Sequence, residues 1–176
     1  EFANMVYPSL WAFWGREVFG WNGFTIGLTL SAYGILIALV QAGLMPQITK
    51  RIGEYKTLII ASIAAVIGLV GFGFSNAAWA VAIVLPFAAL SDMAPPLLTA
   101  FAANSVGDDQ QGLVQGVIAS LSSVAAVAAP LILTGVFERF VNDQGLYFPG
   151  APFLIAALLT IMIIPLIKRL DPRKSP

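Results

Sequence analysis

Charge-free runs constrain this chain more than any other feature. Residues 18–49, 57–91, 110–137 and 144–167 contain no Asp, Glu, Lys or Arg, giving runs of 32, 35, 28 and 24 residues. About 20 apolar residues in helical form cross a bilayer. Only helices and closed barrels satisfy their backbone polar groups in lipid, and runs of this length specify helices. Composition agrees: 59% of the 176 residues are hydrophobic and 10% are charged, against about 25% charged in soluble domains.

The runs divide into spans at 24–48, 57–75, 79–104, 113–136 and 152–168. Ser75–Asn76 breaks the 35-residue run. The stretch 2–15 is too short to cross, since fourteen helical residues reach about 21 Å against a core of about 30 Å. The expectation is five full spans and a partial sixth at 2–15, re-entrant or lacking its front half; the start at Glu1 favours the latter. No signal peptide is visible ahead of it.

Lys and Arg placement sets the orientation. Lys50, Arg51 and Lys56 in a loop at 49–56, Lys168 at the end of the last span, and Arg169, Arg173 and Lys174 in a tail at 169–176 fall on one face; only Arg16 and Arg139 fall on the other. The expectation is an integral membrane protein with a cytoplasmic C-terminus. Trp11, Trp14, Trp21 and Trp79 all read as lying at the outer face.

Several classes of chemistry are excluded or disfavoured. There is no His and no Cys, which removes imidazole catalysis, Ser-His triads, thiolate metal sites and disulfides. Neither a Walker loop nor a G-x-S-x-G elbow occurs. Aspartyl proteolysis needs a second membrane-embedded acid. Zero net charge with few basic residues argues against nucleic-acid binding. No enzyme activity, cofactor or metal is expected.

Asp92 is the central candidate. It sits near the middle of span 79–104, where a carboxylate costs roughly 2.5–3.5 kcal/mol on insertion scales and usually faces a wet cavity. Ser91 precedes it. Pro95 and Pro96 follow, and each lacks an N–H, so the Ser91 and Asp92 carbonyls lose their helical partners. That suits a kinked helix beside a proton or cation site. Other candidates for substrate or proton binding are Asn4, Tyr7, Tyr33, Gln41 and Gln115. The loop carries Lys50, Arg51, Gly53, Glu54 and Lys56, read first as a topology signal and second as a salt-bridged latch. Gly112 and Gly116 are four apart and read as a helix-packing face.

Three stretches together resemble the C-terminal half of major facilitator transporters, specifically the drug–proton antiporters related to the tetracycline efflux proteins. The first runs from Phe2 to Trp14 with Pro8 and Trp11, then Trp21, Ile26-Gly27-Leu28, Ala32-Tyr33-Gly34-Ile35-Leu36 and Gln41-Ala42. The second is Arg51-Ile52-Gly53-Glu54. The third is Asp109-Gln110-Gln111-Gly112-Leu113-Val114-Gln115-Gly116, continuing through Ser120-Leu121-Ser122-Ser123 to Pro130-Leu131. The resemblance implies an all-α, six-helix C-terminal bundle, its first helix truncated, in two inverted three-helix repeats at 1–75 and 79–170. It implies a bacterial inner-membrane setting, a missing N-terminal half as partner, a small-molecule substrate and protons. The chain departs from the family at Pro46 and Lys50 in the loop signature. Ile37 and Ala65 stand where tetracycline exporters carry polar coupling residues, and Asp92 where they tend to carry glycine. The expected function is proton-coupled efflux of small amphipathic molecules. A facilitator-type importer or symporter, and a non-transport six-span scaffold, stay open beside it.

Overall fold

The structure is a computed structural model describing residues 1–107, 109–142 and 146–170, the side chain of Leu170 excepted. Among the described residues every regular element is helical. A 3-10 turn, Ala3–Met5, leads into α1 (Val6–Phe19). Next come α2 (Gly23–Leu39), a π-helical turn (Val40–Leu44) and α3 (Met45–Ile52), continuous as one rod. α4 is Glu54–Phe74. α5 (Ala78–Ser91) and α6 (Ala94–Asn104) form a second composite rod, broken at Asp92–Met93. α7 (Gln111–Asn142) and α8 (Ala151–Ile167) complete a bundle of six rods. Four of these, Gly23–Ile52, Glu54–Phe74, Ala78–Asn104 and Gln111–Asn142, are long and apolar enough to cross a membrane.

Local sequence explains the ends. Gly20 terminates α1 in the left-handed conformation, φ 65°, with its N–H and that of Trp21 donating to the Arg16 and Gly15 carbonyls. Trp21 then folds back over Gly15, where a Cβ would meet its ring at 2.6 Å. Asn22 caps α2 by accepting from the Thr25 N–H at 2.9 Å. The segment 49–56, expected as a loop, is helical up to Ile52 and again from Glu54. Gly53 alone makes the reversal, at φ 84° and ψ 161°, a region open essentially to glycine only.

α4 packs along both α5 and α8. Its glycines explain the position. A Cβ on Gly68 would lie 3.3 Å from the Ala88 backbone nitrogen of α5, and one on Gly71 would lie 2.7 Å from Val84. On the α8 side, a Cβ on Gly73 would meet Leu154 at 2.6 Å. Helices in lipid gain little from hiding apolar area from one another, so association rests on close packing, and small residues permit it. Trp14, Phe72 and Phe153 join α1, α4 and α8 through ring pairs 5.1–6.0 Å apart, each worth about 0.5–1.5 kcal/mol beyond burial.

Trp11 and Trp14 are core residues at 5% and 1% exposure, whereas Trp79 is 70% exposed. Gly112 and Gly116 meet no neighbour among the described residues of this chain: a Cβ on either would find no atom within 4 Å. The open face of α7 around them bears Leu113, Val117, Leu121, Val124 and Leu131, all largely exposed. Ahead of α8, the Tyr147 hydroxyl donates to Glu17 of α1 at 2.9 Å. Desolvation, and then the Glu17 carboxylate, hold the Tyr147 phenol above its ordinary pKa.

Candidate functional site

The break between α5 and α6 follows from the prolines. Pro95 and Pro96 occupy the first turn of α6, where their missing N–H groups are tolerated. The Asp92 carbonyl has Pro96 at the position of its helical donor, and the Gln41 Nε2 donates to it instead at 3.3 Å. Gln41 lies in the π turn, and single π turns often mark functional positions. The Asp92 side chain faces α2, where the Tyr33 Oη donates to Asp92 Oδ2 at 2.6 Å. Two side chains of the first composite rod thus hold the broken turn of the second.

The Asp92 carboxylate opens onto a cavity of about 260 Å³, whose wall includes Asn4, Tyr7, Trp11, Tyr33, Phe72 and Asp92. The lining is largely aromatic and aliphatic, with a few convergent polar groups, the usual make-up of a small-molecule site. Tyr7 and Tyr33 face each other with ring centroids 6.2 Å apart. The Tyr7 hydroxyl is buried without a hydrogen-bond partner. Gly68 makes room for it: a Cβ there would come within 3.5 Å of that oxygen.

Of the residues singled out from sequence, Asn4, Tyr7, Tyr33 and Asp92 share this wall, and Gln41 braces it from behind. Ser91 does not reach it. Its hydroxyl is buried and donates to the Ala88 carbonyl at 2.6 Å, a back-bond within its own helix. Ser91 lines a neighbouring cavity of about 330 Å³, with Ser62, Ala65, Pro95 and Thr160. Asn4 stands in the wall of both cavities. Gln115 is exposed on α7, apart from either. Lys50, Arg51, Gly53, Glu54 and Lys56 cluster around the α3–α4 reversal, away from Asp92.

Sequence reasoning missed Trp11 as a wall residue. Its indole Nε1 donates to the Thr29 hydroxyl at 2.9 Å, joining α1 to α2. The available signal was spacing: Asn4, Pro8 and Trp11 recur at i, i+4 and i+7, one helical face. Ile37, read as an apolar replacement, also lines the wall.

Apolar, membrane-length helices with lipid-compatible outer faces around one half-buried carboxylate define an integral membrane protein of the helical-bundle class. The chain belongs to the Major Facilitator Superfamily, which it matches over residues 2–176. It is similar to the class C tetracycline resistance protein of Escherichia coli, 30% identical over 169 residues, 96% of this chain and 42% of that protein. It is similar to the class E tetracycline resistance protein of Escherichia coli, 32% identical over 163 residues, 92% of this chain and 40% of that protein. A human relative, hippocampus abundant transcript-like protein 1, is 25% identical over 162 residues, 84% of this chain and 32% of that protein. The chain thus spans 42% or less of the length of these relatives. No solved structure gives a significant match.

Proposed function

We propose that this chain is the C-terminal bundle of a secondary transporter that exports small amphipathic molecules in exchange for protons. One observation carries the reading: Asp92, held by the Tyr33 hydroxyl, faces an apolar cavity walled by α1, α2, α4 and α5. The similarity to proteins named for tetracycline resistance supports export. Their greater length supports a companion bundle that supplies the opposite wall, with substrate bound near midplane between the two. The setting is a bacterial inner membrane, with the basic ends of α3 and α8 cytoplasmic.

In this mechanism Asp92 carries the exchange. The carboxylate accepts a proton or faces a cationic substrate, but not both at once. Tyr33 holds one oxygen in place and leaves the other to the cavity. Tyr7 and Asn4 offer the cavity additional polar atoms, while Trp11 and Phe72 supply apolar surface. Rocking of the two bundles exposes the site to each side in turn.

The test is efflux from membrane vesicles by the full-length transporter under an imposed pH gradient. Export that stops when an ionophore collapses the gradient is expected. Export that persists unchanged without the gradient contradicts proton exchange.

A further inference from the structure

A second site lies at the other end of the bundle. The first turns of α4 and the residue after α8 enclose an open groove of about 410 Å³. Its walls are Ile52, Tyr55, Ile59 and Ile60, and its charged groups are Lys56 and Lys168. The two lysines come from distant parts of the chain and meet because α4 and α8 pack together. Arg51 and Arg169 adjoin the groove in sequence. Among the described residues, Lys50, Arg51, Lys56, Lys168 and Arg169 stand at this end with one exposed carboxylate, Glu54.

We propose that this groove binds an anionic phospholipid, its phosphate between Lys56 and Lys168 and an acyl chain along Ile52, Ile59 and Ile60. The chemistry is two-part. Lysine ammonium groups at a helix end extend toward the headgroup layer while their stems stay on apolar surface. Basic pockets between membrane helices recruit anionic headgroups. A free anion would satisfy the lysines and leave the isoleucine trough uncovered, whereas a zwitterionic lipid would fill the trough without complementing the charge. An anionic lipid answers both. The site would tie α4 to α8 at the end where their glycine-mediated contact, at Gly73 and Gly150, is farthest away.

The full-length protein, purified in mild detergent and presented with phosphatidylglycerol or phosphatidylcholine, tests this by native mass spectrometry. The wild type is expected to retain phosphatidylglycerol in preference by about thirtyfold, from two ammonium groups near the headgroup. Lys56→Gln with Lys168→Gln is expected to abolish the preference, and Lys56→Arg with Lys168→Arg to keep it. Lys50→Gln with Arg169→Gln removes the same charge from beside the groove and is expected to keep it. Equal loss in that control would overturn a defined site in favour of diffuse charge. Equal retention of the two lipids by the wild type overturns the proposal outright. Displacement of the lipid by excess inorganic phosphate overturns lipid as the occupant. A folding failure of the glutamine pair is separated by the arginine pair, whose loss of preference also overturns it.

Discussion

Tyr33 on α2 and Asp92 in the α5–α6 break lie 59 residues apart in sequence, yet the tyrosine hydroxyl donates to the carboxylate at 2.6 Å. The contact joins two rods that are each irregular at that level, one by a π turn and one by a proline-forced break. Irregular helix is tolerated in a membrane where protein or a cavity satisfies the backbone, and here Gln41 does so for the Asp92 carbonyl.

Tyr33→Phe keeps the ring in the cavity wall and removes the donor. A hydrogen bond to a charged group contributes about 1.5–3 kcal/mol. Transport by the full-length protein is expected to fall roughly ten- to hundredfold with membrane abundance unchanged. A vesicle efflux assay beside an immunoblot checks this. Wild-type efflux in the variant would show that the contact has no functional weight.

Tyr7→Phe acts differently. The hydroxyl it removes is buried without a partner, and an unsatisfied buried polar group costs about 1–3 kcal/mol. The variant is expected to unfold at the same temperature as the wild type or higher, while substrate binding weakens. A lower melting temperature would mean that the hydroxyl supports the fold.

Gly68→Val and Gly116→Val separate two kinds of glycine. At Gly68 a side chain meets the α5 backbone, and overpacking of this sort costs about 1–3 kcal/mol. At Gly116 the surroundings are open in this chain. Gly68→Val is expected to lower the melting temperature in detergent. Gly116→Val is expected to leave it unchanged, yet to reduce transport where a companion bundle seats on α7. Equal melting losses would contradict the packing described for α4.

Gly53→Ala tests backbone conformation alone, because no atom lies within 4 Å of the added Cβ. Its positive φ with extended ψ is expected to cost about 1–3 kcal/mol. Gly27→Ala, in the open interior of α2, is expected to gain about 0.5–1 kcal/mol from helix propensity. Thermal melting of the two variants should move in opposite directions; movement in the same direction would contradict the assigned turn.

Much of this was legible in the chain because lipid leaves few alternatives. Uninterrupted apolar runs become helices, and two adjacent prolines after Asp92 foretell a break. Placement around the bundle was less legible. The π turn at Val40–Leu44 was missed although Pro46 follows it and lacks the N–H that the Ala42 carbonyl would otherwise accept from. The core packing of Trp11 and Trp14 was not legible, because their partners, Phe72 and Phe153, lie far along the chain. A four-residue glycine spacing cannot tell whether the neighbour it admits belongs to the same bundle, as Gly112 and Gly116 show.

The central claim is that Asp92 carries the coupling, and one measurement meets it directly. Full-length protein bearing Asp92→Asn, which keeps the shape and removes the charge, is reconstituted in proteoliposomes with an imposed pH gradient. The expected result is normal insertion with gradient-driven transport abolished. Unchanged transport with an unchanged pH dependence would contradict the account.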